Sequence, residues 1–444
     1  MIADPLILSI ILIAIMFVFL LSSIWIGVSL ILTGIVGMLL FDHNLPPVLS
    51  VYDKIGDLLA GSLYDAMNSW SLAALPMFIL MGEILYKSSI STKLLNGLKP
   101  WLAYIPGGLL HVNVAACSLF AAVSGSSAAT TATVGKITLD ELKKRGYSKE
   151  LAMGSLAGSG TLGFLIPPSL IMIIYGVMSD VSIGKLFVAG ILPGLLMASL
   201  YSFYIMYKAK VDPSVLPDVE ETFTWTDKLH SLKDLAPIFS LIFVVLGSIY
   251  GGFATPTEAA ALGVLGSLIL AAYFRAINIE VLKNAILNTV KTSVMIGFII
   301  AGAVFLSQVI GFLGIARAMS EFITELGLSP LMLILLIGIM YIILGMILEA
   351  VSIVVMTLPI VLPIVVLAGF DPLWFGVFLV FMVEMAQITP PVGFSLFVIQ
   401  SISDEKIETI LKATLPFFIM MVITVVLITF FPEIVFYLPN QMIK

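Results

Sequence analysis

The sequence predicts an all-α polytopic membrane protein built from two inverted repeats, each with a re-entrant hairpin and a broken helix. Three observations lead there. The 444 residues are 60% hydrophobic and only 11% charged, where a soluble domain is roughly 25% charged; mean hydropathy is +1.16. Apolar stretches long enough to cross a bilayer recur along the chain. Four unusual stretches, two with polar tips and two with a double proline, recur at a near-constant offset: Pro167 and Pro390 are 223 positions apart, Ser124 and Glu349 225. The net charge of −6 argues against nucleic acid as a partner. The single cysteine, Cys117, excludes an internal disulfide framework and reads as a small buried residue.

The elements follow in order. A span needs about 20 apolar residues. Leu6–Phe41 is too long for a secretory signal, lacks a basic start, and reads as two spans joined near Leu21-Ser22-Ser23. Asp53–Trp70 alternates apolar residues with Lys54, Asp57, Asp65 and Asn68, which suits a helix in the membrane plane or a soluble loop. Leu72–Tyr86 is a span. Ile105–Val134, with Ser124 to Thr131 in its second half, reads as a hairpin. Met153–Tyr175 is long enough to span but holds Pro167-Pro168, which removes a helix donor and should break it. Leu186–Lys208 is a span, and Lys208–Asp234, with Asp212-Pro213, Leu216-Pro217 and Glu220-Glu221, a surface linker.

The second half repeats this order. Pro237–Phe253, Ala259–Phe274 and Thr292–Phe312 are spans, with Ile277–Lys291 as a second in-plane helix. Leu331–Ala368, with Glu349 and Ser352 at its middle, is the second hairpin; Leu373–Ile399 is broken at Pro390-Pro391, and Thr414–Tyr437 spans. The division is thus residues 1–208, a linker 209–234, and 235–444. Five crossings plus one non-crossing hairpin reverse the side of the chain, so the second repeat must be inverted, an arrangement found in secondary transporters. Lys136, Lys143, Lys144, Arg145 and Lys149 form the densest basic loop and should be cytoplasmic. The linker and Arg275, Lys283 and Lys291 then also fall inside. Both termini fall outside, with Arg317 and Lys444 as a basic minority there.

Hairpin tips at membrane depth must line a cavity or bind something. Ser124–Thr131 offers hydroxyls and carbonyls to a hard cation, or merely allows close helix packing. Gly158 to Ser169 can unwind, and the half-helix after Pro167 presents free N–H groups that suit a carboxylate. In the counterpart, Gln387 and Thr389 offer side-chain oxygens and Met385 to Ile388 carbonyls. The double prolines could also be simple packing kinks. Two breaks suggest two cation sites. No Lys or Arg lies mid-span, so an anion would meet helix ends, hydroxyls and bound cations. Glu83, Glu349 and Glu384 lie in apolar stretches, where charge is costly; Glu349 is the candidate functional acid, or a hydrogen-bonded structural carboxyl. Thr255-Pro256-Thr257-Glu258 is a capping box. His43 and His230 lie in loops and His111 near the first hairpin's mouth, which makes sodium a better coupling ion than the proton. No phosphate-binding loop motif supports ATP-driven transport, and no metal or nucleophile constellation supports an enzyme.

Gly251-Gly252-Phe253-Ala254-Thr255-Pro256-Thr257-Glu258-Ala259-Ala260-Ala261-Leu262-Gly263 resembles the signature of the large membrane subunit of tripartite ATP-independent periplasmic (TRAP) transporters. Ser124–Ser126, Leu165–Ser169 and Ile388-Thr389-Pro390-Pro391-Val392-Gly393 also match that family, and the resemblance covers essentially the whole chain. It implies an elevator-type transporter of a bacterial inner membrane, working with a small four-helix membrane subunit and a periplasmic substrate-binding protein. It also implies sodium-coupled uptake of a small organic anion such as a C4-dicarboxylate or sialic acid. By the same resemblance, one sodium site would use Ser124, Ser126, Ser127, Gly158 and Thr161, and the other Gly345, Glu349, Met385, Gln387 and Thr389. The substrate would lie near Ser127, Thr130, Pro168 and Pro391. A self-sufficient sodium/carboxylate symporter without a binding protein is the alternative; a non-transporting scaffold would leave the polar tips unexplained.

Overall fold

A computed structural model describes residues 5–40, 50–87, 90–217, 223–325, 327–391 and 393–442. Phe41, His43, Glu220, Glu221, Val392, Lys444 and both chain ends lie outside these. The described residues form helices and turns, without strands. Six helices among them are long and apolar enough to cross a membrane.

The two halves present the same order of parts. The first has Pro5–Leu21, Ile26–Leu40, Val51–Met67 bent by 48° into the following helix, Ala74–Lys87, and Ile90–Leu102. The second has Trp225–Tyr250, Pro256–Tyr273, Ile279–Phe312 and Ile315–Glu325. Each then gives a hairpin, a broken helix and a closing span. The hairpins are Leu110–Ser124 with Ser127–Lys144, and Pro330–Gly345 with Ala350–Leu367. The broken helices are Lys149–Thr161 with Leu170–Ser179, and Pro372–Gln387 with Phe394–Ser403. The closing spans are Ile183–Val211 and Ile407–Phe430. At 1.5 Å per residue, the ten-residue half-helices Leu170–Ser179 and Phe394–Ser403 reach about half of a ~30 Å hydrocarbon core.

Several expectations need correction. Ile277–Lys291 is not a separate in-plane helix: Ile279–Phe312 is one helix of 34 residues. Asn278 caps it by accepting from Val281 N at 2.7 Å, and no proline follows to stop it, so polar residues such as Lys283 and Lys291 colour one end without breaking it. Its first-half counterpart, Val51–Met67, is helical rather than a loop and bends at Asn68–Trp70 before the next helix. The two run side by side in opposite directions. Ser62 Oγ donates to Gln308 Oε1 at 3.0 Å, and Asn288 Nδ2 to Glu83 Oε2 at 3.1 Å. Glu83 is therefore held structurally.

The linker is only half a linker. The capping box of Thr224 and Asp227 starts a helix at Trp225 that runs through Pro237 to Tyr250, so His230 is helical and not in a loop. Trp101 Nε1 donates to Ser231 Oγ at 2.9 Å, and the Lys228 ammonium stands 4.2 Å from the Tyr104 ring centre, fastening this helix to the end of Ile90–Leu102. Thr255 and Glu258 form the expected capping box: Thr255 N donates to Glu258 Oε2 at 2.8 Å. His111 is buried near the hairpin mouth, its Nε2 2.9 Å from Pro106 O, and Cys117 is buried.

The outgoing leg of the first hairpin continues ten residues past Val134, to Lys144. Its last turns bury Leu139 and Leu142 and expose Asp140, Lys143 and Lys144, an amphipathic end whose apolar stripe extends the helix beyond the apolar stretch. There Glu141 Oε1 accepts from Lys99 Nζ at 2.6 Å and Arg145 NH2 at 2.7 Å. Burial alone would raise the Glu141 carboxyl above its ordinary value of 4.5, but these two cations outweigh it and hold it lower. A depressed folded value means that the stabilisation is complete above the ordinary value and is lost as pH falls through the folded one. Glu141→Gln should therefore lower the thermal midpoint at neutral pH, by on the order of 1 kcal/mol of stability, and make no difference in strong acid. Melting curves of both proteins across pH check this; an equal gap at all pH values would contradict it.

Candidate functional site

The site grows from places where the helices cannot continue. Leu110–Ser124 ends because Gly125 takes a left-handed conformation, φ 59°, which costs a glycine little. Ser126 then restarts the chain as an N-cap, its hydroxyl accepting from Ala129 N at 3.4 Å. The turn is tight, and its polar atoms bond to one another. Ser124 Oγ lies 2.8 Å from Thr130 Oγ1, and Thr130 Oγ1 donates to Ser126 O at 2.8 Å. Thr131 Oγ1, fully buried, has no hydrogen-bond partner.

The first break faces this tip. After Thr161 the chain tightens to a 3₁₀ turn, Leu162–Phe164, passes the cis Pro167-Pro168 bond, and restarts at Leu170 under the Ser169 cap. Thr161 Oγ1 donates to Gly158 O at 2.7 Å. Three glycines mark the close approach. A Cβ on Gly163 would lie 2.8 Å from Ser127 N and 2.9 Å from Ser126 O; one on Gly125 would lie 2.9 Å from Pro168 O; one on Gly160 would strike Thr131 Oγ1. Gly125 also stands over Leu170 N, so the hairpin turn itself covers the N-terminus of the half-helix expected to face a carboxylate. Ser126, Ser127 and Pro168 are thereby brought together at the break, with Ser124 and Thr130 hydrogen-bonded within the same tip, while Gly158, whose free face meets Phe417, and Thr161 lie on the helix that leads into the break.

The second half is built alike. Pro372–Gln387 ends in a tight turn: Thr389 N donates to Ala386 O at 3.2 Å, and Thr389 Oγ1 to Met385 O at 2.6 Å. Gln387 is buried, Pro391 exposed, and Pro390-Pro391 is again cis. A Cβ on Gly345, at the end of the incoming hairpin leg, would strike Ala386 Cβ, so this tip too packs on its own break. Glu349 turns back on its own helix. It is the N-cap of Ala350–Leu367, and its Oε2 accepts from Val351 N at 3.1 Å and Ser352 N at 3.4 Å. This carboxyl closes a helix end, as a hydrogen-bonded structural carboxyl would, in part-buried bonds, while its place at the tip keeps it beside the break.

The halves meet where Ser127 Oγ of the first tip lies 3.4 Å from Ser395 Oγ, one turn after the second break. Sequence reasoning missed Ser395, which directly follows the matched Pro390–Gly393 stretch and Phe394, and underweighted Thr131. Both hydroxyls are buried, that of Ser395 at the junction of the halves and that of Thr131 against Gly160 on the first broken helix. The arrangement presents neutral oxygen donors on both sides of an interface between two interrupted helices, a set suited to hard cations.

Residues 13–434 match the family described as the DctM component of the tripartite ATP-independent periplasmic transporter. The chain is 34% identical over 383 residues to the C4-dicarboxylate TRAP transporter large permease protein DctM of Pseudomonas aeruginosa, over 86% of this chain and 89% of that one. It is 28% identical over 384 residues to the sialic acid TRAP transporter large permease protein SiaM of Vibrio cholerae, with 86% and 89% covered. The fold resembles the crystal structure of the Alcanivorax borkumensis YdaH transporter, with a TM-score of 0.62 over 87% of this chain and 91% of that one; at 12% identity the likeness is one of fold alone. With its paired hairpins and breaks and this match across nearly its whole length, the chain belongs to the large-permease (DctM) family of TRAP transporters, a family of membrane permeases and not of enzymes.

Proposed function

We propose that this chain is the large permease of a sodium-coupled, ATP-independent uptake system for an organic acid. A periplasmic binding protein delivers the acid, and a small four-helix membrane subunit completes the complex. The family is tripartite by description, which supports two further components. Relatives named for C4-dicarboxylates and sialic acid support a carboxylate substrate. The observation that carries the reading is the pairing of each hairpin tip with its own break, at Gly163 with Ser127 and at Gly345 with Ala386, and the meeting of the halves at Ser127 and Ser395.

In this reading one sodium ion is held by Ser124, Ser126, Ser127, Gly158 and Thr161, and a second by Gly345, Glu349, Met385, Gln387 and Thr389. The acid lies near Ser127, Thr130, Pro168 and Pro391. The donor chemistry fits: every group is a neutral oxygen or a carboxylate, and the unpaired Thr131 hydroxyl leaves an acceptor free at the first site. The repeats divide as 1–208 and 235–444 around the linker 209–234. Both termini lie on the periplasmic side of the inner membrane, with the basic stretch from Lys136 to Lys149 in the cytoplasm. Hairpins and broken helices move together against the remaining helices as an elevator.

Reconstitution with a small membrane subunit and a binding protein of this family, in vesicles with an imposed sodium gradient, tests it. Uptake of the acid should follow the gradient and need both partners. Uptake indifferent to sodium would refute the coupling, and uptake by the large subunit alone would favour a self-sufficient symporter.

A further inference from the structure

Each half-helix packs along the outgoing hairpin leg of the other half: Phe394–Ser403 along Ser127–Lys144, and Leu170–Ser179 along Ala350–Leu367. The first seam begins where Ser127 Oγ meets Ser395 Oγ at 3.4 Å. About two turns further along both helices, a Cβ on Gly135 would lie 3.5 Å from Ile402 Cδ1 and 2.6 Å from Leu156 Cδ2, so the helices touch there without room for water. Beyond that contact lies a small cavity of about 40 Å³, enough for water, lined by Asp140, Lys143, Lys149 and Glu405 together with Met153 and Ile402. The seam ends at Lys149 Nζ, which donates to Glu405 Oε1 at 3.0 Å. This ion pair joins the two halves.

Local structure does not account for the pair. Lys149 is the first residue of Lys149–Thr161, where a positive charge faces the positive end of the helix dipole. Glu405 follows Asp404, which ends Phe394–Ser403 in a left-handed conformation, φ 56°. The other half supplies a comparison. Leu170–Ser179 ends in the same way at Asp180, φ 57°. By that match Pro372, the first residue of Pro372–Gln387, takes the place of Lys149, and Val181, which follows Asp180, takes that of Glu405. These two cannot form an ion pair; instead the Tyr175 hydroxyl donates to Pro372 O at 2.5 Å. The pair of Lys149 and Glu405 is thus a feature of one mouth and not of the repeat.

A partly exposed ion pair adds little to overall stability. Its effect here is local, at the wet end of a seam that leads to Ser127 and Ser395. We propose that Lys149 and Glu405 form a clamp between the repeats that keeps this seam shut at its cytoplasmic end. Hairpin leg and half-helix then move as one body, and the oxygen donors at Ser127 and Ser395 stay sealed from the cytoplasm. The clamp follows from the packing alone; its sidedness and the sealing of a cation site rest on the function proposed above.

The test uses the full chain with a small membrane subunit of this family in lipid nanodiscs. Ile402→Cys reports on the seam, and the completely buried Cys117 gives the background. A water-soluble thiol reagent should label Ile402→Cys about fivefold faster or more once Glu405→Lys or Lys149→Glu is added, since each sets like charges face to face. The double reversal, Lys149→Glu with Glu405→Lys, should return the rate to within about twofold of the start. Lys149→Glu places a favourable charge at the start of its helix, so faster labelling in that variant is not helix fraying. If a reversal does not fold, Glu405→Gln still decides, with labelling about two- to fivefold faster. Labelling unchanged in the single variants, or as fast in the double reversal as in the singles, overturns the clamp. In proteoliposomes of the three-component system without acid, each single reversal should also raise sodium leak, and the double reversal should lower it again. A seam that labels faster without leaking sodium would instead refute the cation-site reading at the junction, and with it the seal, and leave the clamp standing.

Discussion

Gly163→Val and Gly345→Val will each reduce uptake to background in the reconstituted system. At Gly163 the first added carbon already falls 2.8 to 2.9 Å from the backbone of Ser126 and Ser127, and backbone cannot rotate away as a side chain can. At Gly345 it strikes Ala386 beside the second break. Overpacking of this kind costs about 1–3 kcal/mol, and here relief comes only by pushing the tip off the break, which takes apart the oxygen-donor set. Gly56→Ala and Gly61→Ala are the controls: nothing lies within 4 Å of a Cβ at either position, and both should transport normally. Size-exclusion profiles separate a folded, inactive carrier from a misfolded one. A folded Gly163→Val protein with normal uptake would show that contact between tip and break is not part of the transport site.

The second large effect is expected where the second break supplies oxygen donors. Gln387→Ala combined with Thr389→Val removes a buried amide oxygen and a hydroxyl now bonded to Met385 O at 2.6 Å. The valine keeps the shape of the threonine, so at that position the change is chiefly one of donor chemistry. The sodium concentration for half-maximal uptake should rise about tenfold or more, which corresponds to roughly 1.4 kcal/mol of lost cation binding. Uptake measured over a sodium series checks it. An unchanged sodium curve would take the second break out of the cation site, and an unchanged curve for Ser126→Trp combined with Gln387→Ala would remove both.

The large features were legible because they are written in local chemistry. Gly125 and Ser126 end one helix and cap the next, Thr255 and Glu258 form a capping box, and Pro167 and Pro390 interrupt helices; each acts within four residues of itself. The errors came where local signals conflicted. Polar residues from Ile277 to Lys291 suggested a boundary, yet polarity without a breaker does not stop a helix, and Ile279–Phe312 runs straight through. Pro237 looked like the start of a span, but a helix already capped at Thr224 carries on across it.

By itself, then, the sequence determined the all-helical class, the membrane-spanning stretches, the paired hairpins and breaks, and the family, because bilayer thickness, helix capping and proline geometry act on short windows of chain. Only the tertiary structure decided which tip meets which break and that Ser127 of one half reaches Ser395 of the other. Those contacts join residues far apart along the chain. They depend on how whole helices pack, and no short window of residues carries that information.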